Sequence, residues 1–207
     1  DEDRSDLKLI KKIQNNDNRI KVIINKKTIG AGKSRNIGMN KAKGNFIAFL
    51  DADDLWKKNK IELQLKYMMQ NSLKISHTNY EILDEKKKTK KIMRASAFND
   101  YKKLLFSCDI GLSTVMLKKD LISKNCKFPN LKTKEDFVLW LSILKKNIEI
   151  GALNKNLTSW RKLDVSLSSS VIQKLKDGFR LYYYYMQFNL IKSFFYLLIL
   201  SINSLRK

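Results

Sequence analysis

The sequence predicts an α/β fold with a mostly parallel sheet, followed by a helical C-terminal tail. The apolar run from Phe46 to Leu50 follows a Gly-Asn turn signal and is typical of a strand buried on both faces. Segments with strand character and segments with helical spacing follow one another along the chain. Residues 179–207 differ from the rest because aromatic and aliphatic side chains dominate them. We therefore expect an α/β domain at residues 1–170 and a tail at residues 171–207.

The N-terminal part of the chain predicts a loop, a short helix and a strand. The acidic run Asp1 to Asp6 has the composition of a loop. Leu7, Ile10 and Ile13 then recur at helical spacing, and Ile20 to Ile24 is an apolar run with strand character.

Three carboxylates follow the strand at Phe46 to Leu50 without a gap. Asp51, Asp53 and Asp54 repel one another and gain nothing from packing, so we expect a cation beside them. Ligands of open α/β sheets bind at the carboxyl ends of strands, where an Asp-x-Asp pair can hold a divalent metal and a diphosphate. The alternative is a solvated turn that caps the helix starting near Lys57.

The next predicted element is an amphipathic helix from Lys57 to Gln70. Ile61, Leu65 and Met68 recur at helical spacing and are expected to cover the sheet. A strand is predicted at Lys74 to Leu83.

A pair of carboxylates, Glu135 and Asp136, begins a strongly apolar helix further along the chain. Leu112 to Leu117 has strand character, and Glu135 and Asp136 come after the chain's only proline, Pro129. A carboxylate in the first turn of a helix complements the helix dipole, which gives this pair a purely structural interpretation.

The composition favours one substantial core and an anionic partner. The chain has 207 residues, is 43% hydrophobic and carries a formal charge of +22. Because its lysines are spread over the whole chain, a membrane surface fits better than nucleic acid. Cys108, Cys126 and the single histidine, His77, offer little for a zinc site or a Ser-His-Asp mechanism.

The tail has the character of a helix at a membrane surface. Its apolar core from Phe194 to Leu200 is far shorter than the roughly 20 residues of a spanning helix, and Lys192 interrupts the approach to it. Aromatic side chains with flanking lysines are typical of helices that lie in the bilayer interface. A core or dimer helix is the alternative.

The stretch from Thr28 to Trp56 resembles the inverting family 2 glycosyltransferases of GT-A fold. Members have a Gly-x-x-x-(Ala/Ser)-Arg-Asn-x-Gly run, a helix ending in Ala-x-Gly and an apolar strand that closes on Asp-Ala-Asp-Asp. The residues matching the run are Gly30, Ser34, Arg35, Asn36 and Gly38. The resemblance extends over about residues 20–170.

The resemblance implies a metal-dependent transfer of a hexose from a nucleotide-diphosphate sugar, with UDP-hexose expected. The acceptor would be a hydroxyl of a growing bacterial surface glycan such as lipopolysaccharide or capsule. Asp51 and Asp53 would hold Mn²⁺ or Mg²⁺ and the donor diphosphate, with Asp54 in support. Asp136 matches the aspartate of the family's Glu-Asp motif, which is the general base.

Three further residues are assigned to the donor by the resemblance. Arg35 and Asn36 would begin a helix whose N-terminus faces the diphosphate. Arg161 matches an aromatic-Arg element that is followed by a serine-rich loop, here Ser166 to Ser170, and could contact the diphosphate.

The resemblance also bears on the extent of the chain and its location. Asp1 to Asp6 could be the remnant of an acidic loop that contacts the donor base, in which case the opening strands are absent. We expect a protein held peripherally on the cytoplasmic face of the plasma membrane by its tail. Its partners would be the donor and a glycan or lipid-linked glycan, with no nucleic acid and with oligomers possible.

Two functions of other classes stay open. Gly30 to Ser34 resembles the end of a Walker A loop and Phe46 to Asp51 a Walker B strand, which would indicate a nucleotide hydrolase. The first glycine of that loop should stand at position 27, which is Lys27. A non-catalytic basic binding module is the other possibility.

Overall fold

The computed structural model describes residues 7–84, 88–122, 126–161 and 170–205. The acidic run Asp1 to Asp6 and nearly all of the serine-rich loop lie outside these ranges. The helices are α1 Leu7–Asn16, α2 Ala31–Lys41, α3 Lys60–Gln70, α4 Tyr101–Leu104, α5 Glu135–Leu144, α6 Val171–Arg180 and α7 Leu190–Leu205. The strands are β1 Phe46–Ala48, β2 Leu55–Trp56, β3 Ile75–Leu83, β4 Thr89–Met93, β5 Met116–Lys118 and β6 Ile150–Arg161.

The strands form one sheet in the order β1-β5-β3-β6-β2, with β4 beside the second half of β3. Of the described pairings only β3–β6 is parallel, so the prediction of a mostly parallel sheet is wrong in this respect. β4 pairs antiparallel with β3, and β5 runs opposite to both of its neighbours. Because β5 separates β1 from β3, the strands β1, β3 and β6 nevertheless share a direction, and their carboxyl ends lie at one edge.

Residues Ile20 to Ile24 do not form the predicted strand. Their backbone pairs with no strand in the described ranges, and Ile23 and Ile24 are about half exposed. A strand is stabilised by the ladder it makes with a neighbour, so apolar composition alone does not produce one here.

The core is built around α5, which is buried along most of its length. Phe137, Trp140 and Leu141 are fully covered by the sheet and the surrounding helices. Ile47 in β1 and Phe49, which directly follows β1, pack into the same core. The opposite face of β1 packs against a smaller cluster formed by Met68, Leu73 and Met116. The strand is therefore buried on one face, through Ile47 and Phe49, and partly buried on the other, through Phe46 and Ala48.

Helix α3 begins three residues later than predicted. Of the three residues predicted to cover the sheet, Met68 is buried and Leu65 packs beside it, but Ile61 does neither. Lys60 and Gln64 are fully buried with Met68, whereas Ile61 is exposed. The Lys60 ammonium lies 4.3 Å from the centre of the Trp56 ring and donates to Gln64 Oε1 at 2.7 Å. The Gln64 amide in turn donates to the carbonyl oxygens of Ser76 and Thr114.

The C-terminal helices pack on the same core with one face. Leu181, Tyr182, Met186 and Leu200 are buried in it, and the Tyr182 hydroxyl donates to the Leu105 carbonyl oxygen at 2.6 Å. The opposite face of α7 is exposed. The domain boundary at residue 170 stays a prediction.

No helix in the described ranges has both the length and the apolar character that crossing a membrane requires.

Candidate active site

The acidic turn at the end of β1 separates its three carboxylates. The Asp54 amide donates to the Asp51 carbonyl oxygen at 3.0 Å and closes the turn. Ser113 Oγ accepts from the Asp51 amide at 3.0 Å and donates to Asp54 Oδ2 at 2.5 Å. Asp54 thus points into the protein, whereas the Asp53 carboxylate has no hydrogen bond or ion pair with the described part of the chain.

Asp54 has the properties of a structural carboxyl. Burial raises the pKa of Asp54 to about 6, against the opposing effect of hydrogen bonds from Ser113 and the Arg161 amide. This carboxyl is committed to holding the turn, and Asp53 is the one left available.

Arg161 lies at the carboxyl end of β6, beside the acidic turn. Its amide donates to Asp54 Oδ1 at 3.3 Å, and its Nε donates to the Asp53 carbonyl oxygen. The shared direction of β1 and β6 brings together residues more than 100 positions apart in sequence.

Arg35 joins the acidic turn to the start of α5. Its guanidinium donates to Asp51 Oδ1 at 2.7 Å and to Glu135 Oε1 at 2.5 Å. Burial by itself lowers the pKa of Arg35, but the two carboxylates together raise it above its usual range.

The Asn36 side chain forms hydrogen bonds inside the protein, to the backbone of Phe128. Its side chain donates to the Phe128 carbonyl oxygen at 2.8 Å and accepts from the Phe128 amide at 3.0 Å. Because α2 already begins at Ala31, Arg35 and Asn36 lie in its second turn rather than at its start, which corrects the predicted position. Gly32 fixes the packing there, since a Cβ on it would lie 3.0 Å from the Pro129 carbonyl oxygen.

Asp136 lies in the first turn of α5, as predicted. Its Oδ1 accepts from the Phe137 amide at 2.7 Å, and Oδ2 has no hydrogen-bond donor in the described ranges. Burial, and then the negative charge of Glu135, raise the pKa of Asp136 to about 6, while Arg35 acts in the opposite direction. A carboxylate with this pKa is ionised at neutral pH and is a stronger base than an exposed aspartate.

A cavity of about 230 Å³ brings together two of the predicted site residues, Asp51 and Asp136, whereas Arg35, Asn36, Asp53 and Arg161 are not part of its lining. It is lined by Asp51 and Asp54 from the acidic turn, by Asp136 from α5 and by Trp160 from β6. A larger cavity of about 790 Å³, beside Asn45, contains none of the predicted site residues. The smaller cavity is the candidate active site because, of the two, only it is lined by Asp51 and Asp136.

The acidic turn fits a divalent cation as a partial site. No group of three or more His, Cys, Asp or Glu side chains in the described ranges forms a metal site by itself. Asp53 offers a carboxylate with no described partner, and Asp51 is close to it in the same turn. Oxygen donors of this kind suit Mg²⁺ or Mn²⁺, which commonly take their remaining ligands from water and substrate phosphates.

Sequence reasoning missed two residues that organise the site. Ser113 was placed in a strand, but it lies in a 3₁₀ turn at Leu112–Thr114 and holds the acidic turn. Glu135 is the other, and its ion pair with Arg35, 100 positions away, has no local sequence signal.

The family model described as "Glycosyl transferase family 2" matches residues 2–122, which is more than half of the chain. The chain belongs to glycosyl transferase family 2. The predicted family is therefore confirmed. Membership decides against the nucleotide-hydrolase alternative, and Gly30 to Ser34 accordingly leads into α2 without a described strand before it.

Two relatives of this family 2 glycosyltransferase come from Escherichia coli. One is "UDP-Glc:alpha-D-GlcNAc-diphosphoundecaprenol beta-1,3-glucosyltransferase WfgD", which is 39% identical over 178 residues, covering 85% of this chain and 69% of WfgD. The other, WfaP, has the same descriptive name and is 38% identical over 167 residues, covering 81% of this chain and 64% of WfaP.

Among solved structures, residues 1–349 of S. aureus TarS in complex with UDP-GlcNAc match with a TM-score of 0.67. The sequence identity is 19%, and the match covers 87% of this chain and 53% of that chain. The likeness confirms the predicted GT-A fold. The family 2 chain spans about half of the TarS structure and about two thirds of the Escherichia coli relatives.

Proposed function

We propose that this family 2 glycosyltransferase moves a hexose from a UDP-sugar to a hydroxyl group of a lipid-linked or growing bacterial surface glycan, with inversion at the anomeric carbon. The observation that carries the proposal is the cavity in which Asp51, from the end of β1, lies with Asp136, from the start of α5. The names of WfgD and WfaP support a UDP-hexose donor and a diphosphate-linked lipid acceptor. The TarS complex supports a UDP-sugar donor.

Asp136 is the proposed general base. Its Oδ2 would take the proton of the acceptor hydroxyl while the hydroxyl oxygen forms a bond to the anomeric carbon. The bond from that carbon to the diphosphate breaks on the opposite face, and its electron pair leaves on the phosphate oxygen. A single displacement of this kind needs one base and no covalent nucleophile.

The acidic turn is the proposed site of the donor diphosphate. Asp53 and Asp51 would hold Mn²⁺ or Mg²⁺, which when bound stabilises negative charge on a leaving diphosphate. Arg161 would add a cation at the same edge of the sheet. Arg35 and Asn36 are proposed to serve the donor indirectly, by fixing Asp51 and the loop at Phe128.

The C-terminal helices are the proposed membrane contact, on the cytoplasmic face of the plasma membrane. Six exposed apolar side chains of α7 recur at helical spacing and form one stripe, which we call the α7 stripe: Ile191, Phe194, Phe195, Leu198, Ile202 and Leu205. An exposed apolar stripe on a strongly basic protein suits a peripheral position on anionic lipid.

The test is a transfer assay with the complete protein, Mn²⁺, labelled UDP-glucose or UDP-GlcNAc, and a synthetic GlcNAc-diphospho-lipid acceptor. We expect a lipid-linked disaccharide with a β linkage, identified by NMR. Asp136→Asn should reduce kcat at least 10²-fold, because the amide cannot accept the proton. The matched control Asp120→Asn changes an exposed aspartate at the larger cavity and should leave kcat unchanged. Absence of product with both donors, or equal activity of Asp136→Asn, would contradict the proposal.

A further inference from the structure

We infer that Asp177, on α6, is a positioning residue for Asp136 and acts through Thr133. It would thereby couple the C-terminal helices to proton transfer. The inference rests on the proposed function, because it assumes that Asp136 is the base.

Asp177 is fully buried and holds the residue that precedes α5 by two positions. Its Oδ2 accepts from the Thr133 amide at 2.9 Å, from Thr133 Oγ1 at 3.1 Å and from Gln173 Nε2 at 2.9 Å. Two of the three donors thus belong to one buried residue, three positions before Asp136. A carboxylate that receives both the backbone and the side chain of one residue fixes its position and its orientation.

The turn between Thr133 and Asp136 needs such an anchor. Lys134 has left-handed backbone angles, with φ 63°, and provides no side-chain cap for α5. A non-glycine residue in this region persists when its surroundings determine the conformation. Asp177 anchors the turn on one side of Lys134, and the ion pair of Glu135 with Arg35 anchors it on the other side. Asp136 follows Glu135 directly, so its position depends on both anchors.

Helix α6 is itself held tightly between α7 and this turn. A Cβ on Gly178 would lie 2.7 Å from Leu197 Cδ1 and 3.5 Å from Lys134 Cε, so the Leu197 side chain packs directly against the backbone of α6. A displacement of α7 would therefore be passed to α6 and, through Asp177, to the turn that carries the base.

The hydrogen bonds to the Asp177 carboxylate all reach one of its two oxygens. Asp177 Oδ1 is buried and has no hydrogen-bond partner in the described ranges, and the Arg180 guanidinium is 3.8 Å away. Burial of an incompletely paired carboxylate costs stability. Fixing the position of Thr133 is the role that we assign to this buried carboxylate.

The test compares Asp177→Ala with Asp177→Asn in the transfer assay described above. Alanine removes every bond to Thr133, and we expect kcat to fall about 10-fold to 10²-fold with an unchanged KM for the UDP-sugar, as for a misplaced catalytic group. Asparagine keeps one oxygen that can accept both Thr133 bonds, and it should restore most of kcat. In an Asp136→Asn background, Asp177→Ala should cause no further loss, because its effect passes through the base.

Two further measurements separate positioning from general destabilisation. Ser193→Ala is the matched control, since Ser193 is buried on α7 and its hydroxyl bonds only carbonyl oxygens at the start of that helix. Its kcat should equal that of the wild type. Amide hydrogen exchange at residues 133–138 should be faster in Asp177→Ala and unchanged in Ser193→Ala. If Asp177→Ala does not fold, Thr133→Val, with Thr133→Ser as its rescue, takes its place.

The outcomes distinguish the two proposals. If Asp177→Ala loses no more kcat than Ser193→Ala, or loses further activity in the Asp136→Asn background, the positioning role is wrong while the proposed function stands. If the wild type transfers neither sugar, the proposed function fails. The positioning role then fails with it, and faster exchange at residues 133–138 would mark a structural contact only.

Discussion

At the scale of single residues, the acidic turn shows how neighbours assign different tasks to chemically identical groups. Ser113 and the Arg161 amide occupy the Asp54 carboxyl, and Arg35 occupies one oxygen of Asp51. Asp53 is left with its carboxylate available. The turn therefore contains a structural carboxyl, an oriented carboxyl and a free carboxyl within four positions.

The first prediction concerns the free carboxylate. Asp53→Ala should abolish transfer and remove the Mn²⁺-dependent part of UDP affinity, measured by calorimetry with and without the metal. Because Asp53 makes no described side-chain contact, the free energy of unfolding should change by less than about 0.5 kcal/mol. Asp54→Asn is the matched comparison and should lower stability, because it disturbs the buried bond to Ser113. Full activity of Asp53→Ala at saturating Mn²⁺ would exclude Asp53 as a ligand.

The second prediction concerns pH. Asp136 must be ionised to accept a proton, and burial raises its pKa to about 6. The rate should therefore rise with pH through about 6 and be about 10-fold lower at pH 5 than at its plateau. The charged groups that face Asp136 are Glu135 on its own helix, Lys134 directly before that helix, Arg35 from α2 and Asp51 from the acidic turn. A profile of kcat that is flat from pH 5 to pH 8 would contradict this role.

At the scale of elements, local patterns predicted some features well and failed where distant partners decide. The acidic turn and the start of α5 follow from short apolar runs that stop at carboxylates, and both lie where they were predicted. The hydrophobic periodicity of α3 predicts Ile61 against the sheet, but Lys60 and Gln64 are buried there instead. Lys60 contacts the Trp56 ring, and Gln64 donates to the Ser76 and Thr114 carbonyl oxygens. The hydrophobic periodicity of a helix contains no information about hydrogen-bond partners that are 12 and 50 positions away in the sequence.

Strand direction and position were also decided by distant partners. Ile20 to Ile24 has the composition of a strand but pairs with no described strand. β5 lies between β1 and β3 and is antiparallel to both, whereas a mostly parallel sheet was expected. Hydrophobic runs predict burial, and the ladder that a run joins is a property of the whole sheet. The same holds for Ser113 and Asp177, whose roles depend on contacts 59 and 44 positions away.

The third prediction concerns the buried lysine of α3. Burial lowers the pKa of Lys60 to about 7, below the value of about 10.4 expected in the unfolded chain. Between these values the unfolded state binds more protons than the folded state, so stability should rise with pH, by on the order of 1 kcal/mol per unit. Lys60→Met should remove this rise. Urea unfolding of both proteins at pH 7, 8 and 9 measures it, and parallel curves would show that Lys60 does not titrate in this range.

At the scale of the whole molecule, the C-terminal helices have two faces with different tasks. One face completes the core through Tyr182 and Leu200, and the other presents the α7 stripe. Removing these helices would uncover the core, so a membrane role is better tested by substitutions on the stripe than by truncation.

The fourth prediction is therefore that Ile191→Ser/Phe194→Ser/Leu198→Ser weakens sedimentation with anionic liposomes. The wild type should sediment and be released partly by high salt, since lysines near the surface contribute about 1 kcal/mol each. Met69→Ser/Ile92→Ser is the control, because both residues are exposed and apolar but lie outside the C-terminal helices. Should the stripe variant sediment like the wild type, the α7 stripe is not the lipid contact. If the wild type instead stays in solution as a dimer that the stripe variant breaks, the stripe is an oligomer interface.

The contribution of Tyr182 and Leu200 to the core also has a consequence for biosynthesis. Helix α5 emerges from the ribosome before residues 181–200, which belong to the same hydrophobic core. Until those residues are made, this core, which includes Trp140, lacks part of its apolar packing and cannot be completed. Chaperones that capture exposed apolar segments therefore have an opportunity on α5 that lasts until residues 181–200 are made.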